Sequence, residues 1–371
     1  MIGQTLKLRG IEKRYGNVRA VEPIDLDIEA GEFVSIVGPS GSGKTTLLTM
    51  IAGFEAPTAG TILVGERDLT MVAPNHRDIG MVFQKYALFP HMTVHKNVGF
   101  PLKMRGRSRG CAPGPRVDAA LQLVQLSGFE HRYPHQLSGG QQQRVAVARA
   151  LVFDPPVLLM DEPLGALDKK LREAMQFEIK SIQERLGVTV VYVTHDQEEA
   201  LTMSDRVAVM NKGRLEQIGR PDELYANPCS PFVADFVGTI NFLQGRIAAW
   251  NGAILAIRIA DRLTLEVPFE HHHGASFACG DTVTVAIRPE HIAIGPEDPT
   301  DNQSLGGVLT NLVFAGASTM ARIALDGLAG PELRVVAPSG PTLPLERGNR
   351  VRLTISPDKV KIFNNPEAPK S

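Results

Sequence analysis

Three short runs in the first two-thirds of the chain are apolar almost without interruption: Phe33-Val34-Ser35-Ile36-Val37, Val157-Leu158-Leu159-Met160 and Val188-Thr189-Val190-Val191-Tyr192-Val193. Runs rich in β-branched residues, with no polar alternate face, predict strands covered on both sides, as in a parallel sheet flanked by helices. Helical spacing lies between them. Thr46 to Ile51 follows the first run, and Val117, Leu121 and Val124 recur at three- and four-residue intervals. This alternation predicts an α/β domain with a helical insertion over about residues 88–153.

Past Pro221 the pattern changes. Pro221, Pro228 and Pro231 punctuate short helical pieces up to Thr239, which reads as a connector. Farther on, Thr282-Val283-Thr284-Val285-Ala286-Ile287 and Arg350-Val351-Arg352-Leu353-Thr354-Ile355 alternate polar and apolar positions between Gly and Pro turns. Such alternation marks strands with one buried face and predicts a small all-β barrel or sandwich. On pattern, the chain divides into an α/β domain at 1–236, a β domain at 237–363 and a polar tail at 364–371.

Composition narrows the classes. Among 371 residues, 39 Lys and Arg balance 40 Asp and Glu, so the whole chain has no electrostatic signature of a nucleic-acid or anionic-lipid partner. Hydrophobic residues at 43% supply an ordinary core and exclude global disorder. No run approaches the ~20 mainly apolar residues of a membrane-spanning helix. Met1 to Lys7 lacks the basic-then-apolar start of a secretory signal. Cys111, Cys229 and Cys279 are too few and too scattered for a disulfide frame or a paired-cysteine metal site. A soluble, cytosolic protein is expected.

Four stretches carry chemistry. Gly38-Pro39-Ser40-Gly41-Ser42-Gly43-Lys44-Thr45 follows the first strand and opens a helix, with Thr46 next. In that setting glycine backbone curls its N–H groups round a phosphate, Lys44 reaches the β- and γ-phosphates, and the Thr45 hydroxyl holds Mg²⁺. Val157 to Met160 runs into Asp161-Glu162-Pro163. Ligands of open α/β sheets bind beyond the carboxyl ends of the strands, which brings both carboxylates to the edge where the phosphate loop leaves. Asp161 suits Mg²⁺, and Glu162 suits an attacking water. The third strand ends in Thr194-His195-Asp196, so His195 arrives at the same edge, able to meet a γ-phosphate. Finally, Ser138 caps a helix beginning Gly139-Gly140-Gln141, whose bare N–H groups predict a second anion-binding helix start.

An aromatic at Tyr15, the phosphate loop, Gln84, Leu137-Ser138-Gly139-Gly140-Gln141, Leu158-Leu159-Met160-Asp161-Glu162 and His195 occur in an informative order. Over residues 4–236 the chain thereby resembles the nucleotide-binding subunit of an ATP-binding-cassette (ABC) transporter. The resemblance implies a P-loop ATPase fold with a helical subdomain, ATP and Mg²⁺ as ligands, and Tyr15 stacked on adenine. It implies that Gln84 joins Mg²⁺ to the membrane partner and that Asp168 lies on a loop crossing a dimer interface. The second ATP-binding subunit would be an identical chain, packed head to tail. Each ATP then lies between one chain's phosphate loop and the other's Ser138 to Gln141. Catalysis rests on Glu162, His195, Lys44 and Gln84.

Residues 240–363 resemble the transport-associated OB (TOBE) domain of importer subunits, on Ala286-Ile287-Arg288-Pro289-Glu290-His291. Such a subunit works from the cytoplasmic face of the inner membrane with transmembrane permease subunits, and indirectly with an extracytoplasmic solute-binding protein. Tyr86 to His91 is expected to line the groove for a permease helix. Leu48 to Glu55 and Phe100 to Gly106 look most like the polyamine (spermidine/putrescine) branch. Importers of phosphonates, opines, ferric iron, sulfate and sugars resemble it closely.

Other features are expected to be bland. Adjacent His271, His272 and His273 in an extended segment point to opposite faces and cannot converge on one ion. Arg105, Arg107 and Arg109 form a solvated charged loop, and Trp250 packs in the barrel. A cassette ATPase acting on nucleic acid needs a basic groove with stacking aromatics. Balanced charge and 6% aromatic content do not offer one, so no nucleic-acid partner is expected.

Overall fold

The computed structural model describes residues 3–105, 113–259, 263–269, 277–296, 305–327, 330, 332–339 and 346–364. Arg107, Arg109, Cys111 and His271 to His273 lie outside the described residues. Contacts divide the chain into two units, Met1–Leu224 and Tyr225–Ser371.

The first unit opens with β1 (Leu6–Tyr15), β2 (Val18–Ile28) and β3 (Phe33–Val37), then α1 (Lys44–Ala52), β4 (Ala59–Val64), β5 (Arg67–Asp68) and β6 (Gly80–Val82). Three helices follow: α2 (Val94–Met104), α3 (Pro113–Leu123) and α4 (Gly139–Leu151). The unit continues through β7 (Val157–Asp161), α5 (Lys169–Leu186), β8 (Thr189–Thr194), α6 (Gln197–Met203), β9 (Arg206–Asn211) and β10 (Arg214–Gly219). One sheet is antiparallel and ordered β2-β1-β4-β5; the other is ordered β10-β9-β3-β8-β7-β6. In the second, all neighbours except β10 run parallel.

The uninterrupted apolar runs are explained by this sheet, because its alternate residues feed two separate cores. Phe33, Leu158, Met160, Val190 and Tyr192 face one, shared with α2 to α5. Val34, Ile36, Val157, Leu159, Val191 and Val193 face the other, shared with α1 and the antiparallel sheet. Each large apolar side chain buried this way contributes roughly 2 kcal/mol. Register then places the ends. Val37 pairs with Thr194, Asp161 with Val193 and Val82 with Met160, so β3, β8, β7 and β6 finish close together at one edge. Buried Arg77 anchors α1 beneath that edge by donating to the carbonyls of Met50 and Ile51, both at 2.7 Å.

The division falls within α7 (Pro221–Ala226). Among the described residues, the second unit then holds α8 (Pro231–Phe236) and ten strands. β11 (Asn241–Trp250), β12 (Ile254–Ile259), β13 (Leu263–Pro268) and β14 (Thr282–Ile287) lead to β15 (Ile292–Pro296) and β16 (Leu305–Phe314). β17 (Ser318–Leu325), β18 (Leu333–Pro338), β19 (Arg350–Ile355) and β20 (Lys361–Asn364) complete the set. Two antiparallel sheets, ordered β13-β12-β11-β14-β20 and β15-β19-β16-β17-β18, close over one core into a barrel-like fold. The Asn241 amide joins them through both backbone groups of Arg334, each at 2.8 Å.

By contacts the chain divides at Leu224/Tyr225 rather than near residue 236, with Ala234 of α8 packed against Ile240 and Ala286. Buried Arg288 also donates to the carbonyls of Ala234, Gly238 and Thr239. Two expectations are corrected. Arg105 is no solvated loop residue: its guanidinium lies 3.5 Å from the centroid of the Phe153 ring and 3.5 Å from Asp78. Trp250 is 44% exposed at the end of β11, its ring tilted against that of Phe269 with centroids 5.4 Å apart.

Candidate active site

The loop from Gly38 to Gly43 joins β3 to α1. Gly43 is the N-cap of α1 with φ 100 and no side-chain cap. A Cβ there would come within 2.7 Å of the Ala20 carbonyl oxygen, so the turn requires glycine. The first N–H groups of α1 are thereby left to a ligand. Lys44 is buried and folds its ammonium into the loop, donating to the Gly38 and Pro39 carbonyls at 2.8 and 2.9 Å. Burial pushes its pKa down, while Glu162 and Asp161 pull it back up. The Ser42 N–H donates to Pro39, but the Ser42 hydroxyl is buried without a partner.

Thr45 stands beside the Asp161 carboxylate at the end of β7 and helps hold its pKa down. Burial, then the charge of Glu162, raises the pKa of Asp161, with Lys44 and Thr45 opposing. Beside the loop is an open cleft of about 470 Å³, walled by Gly41, Gly43, Lys44, Thr45 and Thr46 and by Arg19 and Lys212. Sequence reasoning missed Arg19 and Lys212. Arg19 sits at the start of β2 and Lys212 on the turn between β9 and β10, and only the fold brings their charges to the loop.

Glu162 turns left-handed, with φ 43, at a cost of about 1–2 kcal/mol for a residue with a Cβ. Its N–H donates to Val193 at 2.8 Å, tying that turn to the end of β8. Gln84 donates through Nε2 to Glu162 Oε2 at 2.9 Å, and His195 Nδ1 stands 3.1 Å from Glu162 Oε1. Three residues far apart in sequence therefore meet at one carboxylate. Behind His195, Arg172 donates to Asp196 at 2.9 Å and to the Leu167 carbonyl at 3.1 Å. Buried Glu199 accepts from Tyr192 and Thr194 at 2.7 and 2.8 Å, and burial raises its pKa. Neither Arg172 nor Glu199 belongs to a motif that would have announced it.

Tyr15, Ser138 to Gln141 and Asp168 stand apart; among the described residues none hydrogen-bonds to this group. Tyr15 is half-exposed, with its ring 5.0 Å from the Lys13 ammonium. The start of α4, read above as bare, is partly closed. Ser138 Oγ accepts from the Gln141 N–H at 3.3 Å and Gln141 Oε1 accepts from the Ser138 N–H at 3.0 Å, a reciprocal capping box. A Cβ on Gly140 would meet Leu171 at 3.0 Å, so α4 begins tight against α5. Asp168 caps α5 by accepting from the Leu171 N–H at 3.0 Å. Tyr86, expected on a groove, is buried in the core, whereas Pro90 and His91 are exposed.

The fold and this constellation define a P-loop ATPase of the cassette type carrying a C-terminal β domain. The ABC transporter family profile matches residues 21–165 and the TOBE domain profile matches residues 285–363. The spermidine/putrescine import ATP-binding protein PotA of Rubrobacter xylanophilus is 51% identical over 314 residues, covering 85% of this chain and 82% of that one. The protein of the same name from Frankia alni is 45% identical over 98% of this chain and 80% of its own. Among solved structures, a dimeric bacterial ABC transporter cassette is 38% identical with a TM-score of 0.53, covering 58% of this chain and 98% of that chain. The same cassette in a post-hydrolysis dimer bound to ADP and Pi gives a TM-score of 0.52. The chain belongs to the family of ATP-binding subunits of ABC transporters. ATP is its nucleotide. Among the described residues, no helix is long and apolar enough to cross a membrane.

Proposed function

We propose that this chain is the ATP-hydrolysing subunit of an importer of spermidine and putrescine. Support for the cargo comes from relatives named for that import, 45–51% identical over most of the chain. Support for catalysis comes from one observation: Gln84, Glu162 and His195 converge on a single carboxylate. Glu162 polarises the attacking water. His195 and Gln84 hold that carboxylate in place, which suits phosphoryl transfer because it depends on positioning more than on covalent chemistry.

Lys44 brings a positive charge already seated in the loop to the β- and γ-phosphates, with Gly38 to Gly43 cradling them and Thr46 following. Thr45, Asp161 and Gln84 would hold Mg²⁺. The Thr45 side chain beside the half-buried Asp161 carboxylate fits such a hard cation, which takes few protein oxygens. When bound, Mg²⁺ neutralises phosphate charge. Tyr15 stacks on adenine. Ser138 to Gln141 and Asp168 serve a second, identical chain across a head-to-tail interface; the dimeric form of the similar cassette supports this.

Closure and reopening of that dimer move permease subunits from the cytoplasmic face of the inner membrane, with an extracytoplasmic solute-binding protein delivering the cargo. The test is uptake of labelled putrescine and spermidine by source cells carrying wild type or Glu162→Gln, with a phosphonate and a sugar in parallel. Selective loss of polyamine uptake is expected. Intact polyamine uptake with ATPase abolished would reassign the cargo to whichever solute failed to enter.

A further inference from the structure

Near its last turn, α4 holds a cation of unusual setting. Arg149 is buried, and its guanidinium spends both terminal nitrogens on backbone: Nη1 donates to Ala87 and Nη2 to Tyr86, each at 2.7 Å. Those two residues are consecutive and left-handed, with φ 58 at Tyr86 and φ 47 at Ala87. Left-handed backbone is rare for residues carrying a Cβ and persists where surroundings enforce it. Ten residues after Ala87, buried Asn97 takes over. It accepts from the Phe89 N–H and donates to the Phe89, Met92 and Thr93 carbonyls, all at 2.9–3.1 Å. The segment between β6 and α2 therefore hangs on two side chains. Gln84 lies only two residues before the pair that Arg149 grips.

We infer that Arg149 is a positioning residue for hydrolysis: by holding Tyr86 and Ala87 left-handed, it presents Gln84 to Glu162. The inference rests on the reading of Gln84 and Glu162 given above. Arg suits the task because its planar fork reaches two neighbouring carbonyls at once, which a lysine ammonium cannot do with the same geometry. It also gives α4 two duties. Its first residues are proposed to meet a partner's nucleotide, and about 16 Å along the same rod its arginine sets the chain's own Gln84. A shift of the helix at one end reaches hydrolysis at the other.

Arg149→Lys in the full-length chain keeps the charge and loses the fork. Its saturated ATPase turnover is expected to fall about tenfold, with KM for ATP held within about twofold. Gln84→Ala should slow turnover to a similar degree, and the double variant should be no slower than the slower single one, because both act through one contact. Ala87→Gly adopts the left-handed turn freely and should restore part of the turnover in the Arg149→Lys background. Turnover of Arg149→Lys equal to wild type, while Gln84→Ala is slow, would overturn the inference. So would losses that multiply in the double variant, an absent rescue by Ala87→Gly, or a KM that rises together with a lowered melting temperature. If Gln84→Ala keeps full turnover, the inference falls together with the reading of Gln84.

Discussion

Two helix starts in this chain are suited to anions, and they are finished differently. α1 begins at Gly43, which offers no side chain to its own N–H groups, with the Lys44 ammonium already inside the loop. α4 begins at Ser138 in a reciprocal cap with Gln141. A phosphate arriving at α1 displaces no capping side chain. A nucleotide arriving at α4 competes with a cap worth about 1 kcal/mol. On the function proposed above, the first start binds within one chain, and the second, stable alone through its cap, opens only for a ligand that a partner helps to hold.

The sharpest way to break that contrast is Lys44→Ala. ATP affinity should fall by about a hundredfold or more, since a buried charged donor is lost; a titration with undiminished affinity would remove α1 as the primary site. Glu162→Gln should bind ATP normally and lose about two to three decades of turnover. In saturating ATP it should run as a dimer by light scattering, and a monomer there would separate the two helix starts functionally.

Ser138→Ala should leave single-chain ATP affinity alone. It should weaken ATP-dependent dimerisation and lower stability by about 1 kcal/mol in denaturant melts. Equal loss of affinity in the monomer would place both starts at one site.

On stability, Asp161→Asn gives the smallest effect and the opposite sign. Burial and Glu162 raise the carboxyl pKa of Asp161, so the folded chain binds that proton more tightly than the unfolded chain. Its contribution to stability is full below the ordinary carboxylate range and is lost as pH rises through the folded-state value. At neutral pH the variant without nucleotide should melt about 2 °C higher, with the gain vanishing as pH falls to that range, while hydrolysis is lost. A lower melting point would mean that Lys44 and Thr45 together outweigh burial.

Much of the first unit was legible because its chemistry is written in contiguous words at strand ends. Asp161-Glu162 and Thr194-His195 each follow an apolar run, and one rule about parallel sheets sends both to the phosphate loop. The capping box was equally legible as Ser138-x-x-Gln141, yet the glycines between drew the reading toward bare backbone. What could not be read are side chains whose partners are distant carbonyls. Arg149 on Tyr86 and Ala87, Asn97 on Phe89, and Arg172 on Leu167 obey no spacing, since a carbonyl has the same chemistry at every position. In the second unit, alternation located strands but could not say that Trp250 falls where β11 runs out beside solvent. Nor could it say that a buried arginine would claim the helix before it.

That last arginine has a consequence for how such proteins are recombined. Arg288 binds the backbone at Ala234, Gly238 and Thr239, so α8 travels with the β unit although it looks like the tail of the cassette. A chimera spliced at the end of α8 would draw those carbonyls from two parents and ask a foreign helix to satisfy a buried guanidinium. The natural seam for exchange, in the laboratory or between genes, lies before Tyr225.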